Sequence, residues 1–216
     1  MTRSERVVDT PHGPARLVTD RAPRPVGTLL LGHGAGGGID GPDLTALATH
    51  LPRQGFTVVR LEQPWKVAGR RIAPAPRILD EGLVAASDRL RVRTPLVVGG
   101  RSAGARSAVR CGRRLGAVAC LALAFPLHPP GKPEKSRLEE LRGARLPTLV
   151  VQGERDAMGR PEEFPEDVEM TVVPGADHGF GVAAAGPLST AEAMDLLVEC
   201  TLEWLVREVT GNKHPG

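Results

Sequence analysis

Short apolar runs recur along the chain, each closed by glycine, proline or a polar turn. Gly27–Leu31 (GTLLL), Thr57–Leu61 (TVVRL), Pro95–Val98 (PLVV), Val118–Phe125 (VACLALAF), Pro147–Val151 (PTLVV) and Glu169–Val173 (EMTVV) have the length of strands. Several are apolar at consecutive rather than alternate positions, the pattern of strands covered on both faces of a parallel sheet. Between them lie stretches with helical spacing. Leu44, Leu47, Ala48 and Leu51 share one face, as do Ile78, Leu79, Gly82, Leu83 and Ala86. Ala103–Leu115 is built mainly of small residues and arginine. Ser189–Val209 is the longest, with Leu196, Leu197, Cys200 and Trp204 at three-to-four spacing. Ser189 three residues before Glu192 makes a capping box, and Gly211 follows as a stop. Val7–Thr19, around Pro11-His12-Gly13, reads as a hairpin at a sheet edge. The proline-rich segments Ala73–Arg77 and Pro126–Pro133 read as loops. The pattern predicts an α/β fold: a mostly parallel sheet, helices on both faces, and an N-terminal antiparallel edge hairpin.

Length and composition narrow this. The 216 residues, 41% apolar and 25% charged, suit a single domain with a core large enough to need no metal or disulfide. Three cysteines without a CxxC pair argue against a disulfide framework or a zinc ribbon. Cys111, Cys120 and Cys200 read as small buried hydrophobes. The start, MTRSERVVDTPHG, has no apolar stretch, and the longest apolar run, Ala117–Phe125, is too short to span a bilayer. A cytoplasmic protein without membrane partners is expected. Net charge is +3, but the basic residues are dispersed; aromatics are 3% and tyrosine is absent, which disfavours nucleic-acid binding.

The sharpest chemical feature is PLVVGGRSAGARSA. A strand runs into Gly100-Arg101-Ser102-Ala103-Gly104, which fits G-x-S-x-G, and a helix of small residues follows. With 26 glycines and the six serines of this chain, about 0.09 matches are expected by chance, so placement between strand and helix carries the argument. A serine hydroxyl needs a base and a group to orient that base. His178, in the glycine-rich VVPGADHGFG after a strand, is the candidate base, and Asp156, in the loop after PTLVV, the candidate acid. Both fall at the carboxyl edge of the sheet, in the chain order Ser, Asp, His expected on such a fold. His128 is the other plausible base. His12 sits in the edge turn, His50 on an amphipathic helix and His214 in the tail.

The second element is Gly32-His33-Gly34-Ala35-Gly36-Gly37-Gly38 after GTLLL. Gly32, Gly34 and Gly37 also satisfy G-x-G-x-x-G, with Glu62 where a ribose-binding acid would lie. Against a dinucleotide site, the next helix starts only near Pro42-Asp43, and Ser102, Asp156 and His178 are left without a role. In a hydrolase the loop would complete an oxyanion hole.

The blocks LLGHGAGGG, GGRSAGAR, VVQGERD and GADHGF resemble the α/β-hydrolase superfamily. More narrowly, they resemble the small hydrolase-like domain shared by bacterial proteins, testis-expressed homologues and subunit 3 of the NSL histone-acetyltransferase complex, a set akin to dienelactone hydrolases. The resemblance runs from about Gly27 to Trp204. It implies Ser102 as nucleophile, Asp156 as acid, His178 as base, and the backbone N–H groups of Ala35 and Ala103 as oxyanion donors. The elbow holds serine where dienelactone hydrolases have cysteine, so their substrate is not carried over. The expected activity is hydrolysis of a small carboxylic ester or thioester through an acyl-enzyme, with no metal or cofactor. A non-catalytic interaction module on the same scaffold is the alternative, and a dinucleotide enzyme a lesser one. Trp65 and Arg101 are candidate substrate contacts: Trp65 as a pocket wall or a loop anchor, Arg101 with Arg70-Arg71 for an anionic substrate or as surface charge among 24 arginines. Only some twenty residues, Pro126–Arg145, lie where this superfamily often inserts a cap, so little or no lid is expected.

Overall fold

The computed structural model describes residues 2–211; His214 lies outside them. Eight strands form one sheet: β1 (Thr2–Thr10), β2 (Gly13–Arg21), β3 (Gly27–Gly32), β4 (Phe56–Glu62), β5 (Leu96–Arg101), β6 (Ala119–Leu123), β7 (Thr148–Gly153) and β8 (Met170–Val173). Their order is β1-β2-β4-β3-β5-β6-β7-β8. β1 and β2 form the expected hairpin, and β2 pairs antiparallel with β4; every later pairing is parallel. The hairpin is longer than Val7–Thr19 because β1 continues outward as an exposed edge, where polar side chains need no burial pattern.

Among the described residues there are six α-helices: α1 (Pro42–His50), α2 (Pro64–Val67), α3 (Pro76–Asp88), α4 (Ala103–Cys111) and α5 (Leu138–Arg142) between strands, and α6 (Thr190–Thr210) after the last one. Alternation along the strands sorts the core into two layers. Leu30, Val59, Val98, Cys120, Ala122 and Val150 face α3, α4 and α5. Leu29, Leu31, Val58, Val97, Leu121 and Val151 face α1 and α6. The period-two side-chain geometry of a strand thus covers the sheet on both faces, which is why the runs read as continuously apolar.

Local signals behave as their chemistry dictates. Ser189 Oγ accepts from the Glu192 N–H while Glu192 reaches back to the Ser189 N–H, and Gly211 ends α6 at φ 71°. The face α6 buries is centred on Ala193, Leu197, Thr201, Trp204 and Leu205; Leu196 and Cys200 lie at its margin. α3 starts at Pro76 rather than after Arg77, because proline fits the first helical turn. α4 stops at Cys111, four residues before Leu115, and one-turn α2 and α5 are too short to show periodicity. Between β6 and β7 the chain carries only a 3-10 turn (Pro133–Lys135) and α5, so among the described residues no cap domain is inserted there. α5 is pinned to α4 by Glu140, which accepts from Arg106 and Arg110 at 2.7–2.8 Å. Burial pushes the Cys111 thiol up to about 11 and Cys120 up to about 12, so both stay protonated. Among the described residues no helix is long and apolar enough to cross a membrane.

The site lies at the point where the chain reverses direction across the sheet. From β3 the connection runs to β4 on one side, and the chain then returns to place β5 on the other, opening a crevice at their carboxyl ends. At that crevice the backbones touch. A Cβ added at Gly104 would lie 2.4 Å from the Gly32 carbonyl oxygen, and one added at Gly100 would meet the same oxygen at 2.4 Å. Main chain on both sides leaves nothing that can rotate away. Gly104→Ala is therefore expected to lower unfolding stability by about 2–3 kcal/mol, while Gly36→Ala, with open space around it, shifts stability by less than about 0.5 kcal/mol; urea midpoints of both variants check this.

Candidate active site

Ser102 occupies the turn between β5 and α4 with φ 53° and ψ −110°, a left-handed conformation that a non-glycine residue adopts only when its surroundings enforce it. Its N–H donates to the Leu123 carbonyl of β6 (2.9 Å), and its own carbonyl accepts the first turn of α4 from Arg106 (3.1 Å). The side chain projects from the carboxyl edge, part exposed. Ala103 is the first residue of α4, so the helix leaves its N–H without an intrahelical acceptor. Gly34 sits over the serine: a Cβ there would lie 3.4 Å from Ser102 Cβ. Ala35, next along this loop, is exposed.

The structure brings Ser102, His178 and Asp156 into one hydrogen-bonded line. His178 Nδ1 meets Asp156 Oδ2 at 2.7 Å and Nε2 meets Ser102 Oγ at 2.9 Å. A carboxylate offers only acceptors here, so Nδ1 carries the hydrogen and Nε2 faces the serine hydroxyl with its lone pair. Asp156 has no exposure, and its oxygens are satisfied: Oδ2 also accepts from Gln152 Nε2 (2.9 Å) and Oδ1 from the Met158 N–H (2.8 Å). Gln152 in addition donates to the Gly159 carbonyl (2.8 Å), tying the acid loop to the end of β7.

His178 sits on a loop of similar economy. Asp177 Oδ1 accepts the N–H groups of Gly179 (2.7 Å) and Gly181 (2.9 Å), and Phe180 is fully buried at φ 59°. The Asp156 and His178 loops abut directly, since a Cβ at Gly153 would lie 2.6 Å from both the Ala176 and Asp177 carbonyl oxygens.

Two buried histidines have structural partners. His33 Nε2 accepts from the Gln63 N–H (3.2 Å), and Nδ1 donates to the Gly34 carbonyl (2.9 Å), an arrangement only the neutral ring can make. Burial holds its pKa below the ordinary histidine value. His128 hydrogen-bonds the Pro129 carbonyl (2.9 Å) and the Glu163 carboxylate (2.8 Å), and these partners raise its pKa. With both ring nitrogens engaged there, His128 is placed away from Ser102.

Trp65 lies in α2, 5% exposed, tilted against the His33 ring at 5.6 Å between centroids. It braces the base of the glycine loop and offers little surface to a ligand. Arg101 turns inward: its guanidinium donates to the His178 carbonyl (3.3 Å) and lies 3.8 Å from the buried Asp43 carboxylate. Arg70 and Arg71 are exposed in the loop after α2. Glu62, the candidate ribose ligand, accepts from Arg16 of β2 at 2.9 Å, and Gly38–Gly41 separate Gly32, Gly34 and Gly37 from the α1 N-terminus, so the dinucleotide arrangement is not assembled. Sequence reasoning passed over Gln152, Asp43 and Arg60. Arg60 is 2% exposed on β4 and donates to the Ile39 carbonyl of the glycine loop (2.9 Å). The signal each offered was a polar residue inside or abutting an otherwise apolar element.

This chain belongs to a family of alpha/beta hydrolase domains, which it matches over residues 25–206. Solved structures agree on the fold. A serine hydrolase without lid from Xanthomonas campestris superposes with a TM-score of 0.72 at 19% identity, over 94% of this chain and 95% of that one. The esterase domain of a Rhodothermus marinus protein gives 0.73 at 16%, over 97% and 100%. A dienelactone hydrolase from Anabaena variabilis gives 0.73 at 18%, over 96% and 98%.

Two outcomes follow from the buried partners. Gln152→Leu, which strips Asp156 of a donor while keeping bulk, is expected to lower stability by about 1–3 kcal/mol, read by thermal unfolding. For His33, a folded pKa below the unfolded value means the unfolded chain binds more protons as pH falls. Its contribution is therefore complete above about pH 6.5 and is lost progressively below it. Denaturant titrations between pH 7 and pH 5 should show a steeper loss for the native protein than for His33→Gln.

Proposed function

We propose that this protein is a serine hydrolase acting on small carboxylic esters or thioesters through an acyl-enzyme on Ser102. The observation that carries the reading is the unbroken line Ser102 Oγ–His178 Nε2 and His178 Nδ1–Asp156 Oδ2, with the serine held at φ 53° on a strand-to-helix turn. In this mechanism Oγ attacks the carbonyl carbon while its proton passes to His178 Nε2. Asp156, through Nδ1–H, keeps the ring in the required tautomer and stabilises the imidazolium. The oxyanion that forms is met by the N–H groups of Ala103 and Ala35, in a hole of backbone donors. Collapse expels the alcohol or thiol, protonated by Nε2–H. Water then attacks the acyl-serine with Nε2 taking its proton, and the carboxylic acid leaves Ser102 free. No step asks for a metal or organic cofactor.

The uncapped carboxyl edge supports small, weakly discriminated acyl groups, since only loops border the serine. The rival reading is a protein-interaction role on the same scaffold, motivated by the sequence resemblance to the NSL subunit 3 domain. A fluorophosphonate probe should label the purified protein at Ser102, and Ser102→Ala should lower turnover of 4-nitrophenyl acetate and short acyl thioesters about a thousandfold or more. Absence of labelling alongside a labelled control hydrolase, with no turnover across the panel, would transfer the weight to the interaction role.

A further inference from the structure

Asp43 has zero exposure, and no side chain hydrogen-bonds either of its carboxylate oxygens among the described residues; only the N–H groups of Leu44 and of Asp43 itself, in the first turn of α1, bear on them. A buried carboxylate in that state is costly to fold around unless a charge compensates it. The cation beside it is Arg101, Nε to Oδ2 at 3.8 Å. Burial pushes the Asp43 carboxyl upward, and Arg101 draws it back down. The same guanidinium reaches the other way, donating from Nη2 to the His178 carbonyl at 3.3 Å.

The glycines around Arg101 show how closely the loops wrap it. A Cβ at Gly179, beside the base, would lie 3.3 Å from Nη2; at Gly37 and Gly41, in the glycine loop, it would lie 3.7 and 3.8 Å from Nη1. One planar group therefore fills the space between the elbow, the base loop and the glycine loop. Asp156 bonds the imidazole ring, whereas Arg101 bonds the backbone that carries it.

We propose that Arg101 is a positioning residue that locks the His178 loop and the glycine loop to the nucleophile elbow, with Asp43 as its buried counter-charge. The inference rests on the serine-hydrolase reading above and assigns the second residue of G-x-S-x-G an internal task rather than a substrate contact. A guanidinium suits this task because its rigid fork addresses an ion and a carbonyl in different directions, which a lysine ammonium on a flexible stem does not reproduce. Misplacing a base by about 1 Å is worth about a hundredfold in rate.

The test compares Arg101→Met, Arg101→Lys, Asp43→Asn and the double variant Asp43→Asn/Arg101→Met. Readouts are thermal unfolding, kcat and KM on 4-nitrophenyl acetate, and amide hydrogen exchange over residues 177–181. Arg101→Met is expected to lose thermal stability, because it strands the Asp43 charge, and to lower kcat about ten- to hundredfold with KM within about twofold. Arg101→Lys should recover stability more than kcat. The double variant should regain stability but keep both the low kcat and faster exchange at 177–181. Unchanged exchange at matched stability overturns the proposal whether or not the protein turns over esters. Recovery of kcat together with stability in the double variant overturns it as well, reducing Arg101 to a structural ion pair. A rise in KM confined to anionic esters would make Arg101 a substrate contact instead. A wild type that neither hydrolyses nor labels sinks the hydrolase reading alone, since exchange still decides the clamp.

Discussion

The close approach of β3 to the start of α4 is the constraint on which the rest of this structure depends. Gly32 and Gly104 bring two backbones to a separation that no Cβ would allow, and Gly100 lets β5 run beneath the same carbonyl. With the helix held that near the sheet, the chain has one residue in which to turn, and Ser102 absorbs the turn at φ 53°. Such a conformation costs on the order of 1–3 kcal/mol. Two fully packed core layers hold it in place, together with the Ser102 N–H bond to Leu123 on the neighbouring strand. Strain, exposure of Oγ and the free N–H of Ala103 are then three consequences of one packing contact.

Around that turn, loops are anchored by buried apolar residues such as Ile39 and Phe180 and also by buried polar side chains bonded to main chain. Arg60 grips the Ile39 carbonyl, His33 joins Gln63 to Gly34, Gln152 joins Asp156 to Gly159, and Arg101 reaches the His178 carbonyl. A loop at the open carboxyl edge lies outside the strand ladder. Its backbone must still be satisfied, and side chains rising from the strands and neighbouring loops supply the partners. The result is a rim that stays open yet defined, with the His178 side chain still a quarter exposed.

Much of this was legible along the chain. Both core layers, the edge hairpin, the long capped final helix and the elbow follow from periodicity, caps and glycine placement, all signals that act within a few residues. α2 and α5 escaped because four or five residues hold too little of a helical period, and α3 began early because Pro76 is both a loop former and a good first helical residue. Ser102, Asp156 and His178 could be nominated because each stands just past a strand in a glycine-bearing turn. Gln152, by contrast, stood just past PTLVV with no chemical mark of its own, and Asp43 marked only the start of a helix.

The sequence by itself determined the kinds of element, the two-sided burial of the sheet and which residues stand at its carboxyl edge, since those depend on short-range geometry and residue chemistry. Only the tertiary structure decided who meets whom. It paired Glu62 with Arg16 instead of leaving it for a ribose, set His128 on Glu163, turned Trp65 onto His33, and closed Asp43, Arg101 and the His178 carbonyl into one cluster. Those meetings are set by strand order, which brings positions far apart in the chain to one crevice, and no periodicity along the chain encodes it.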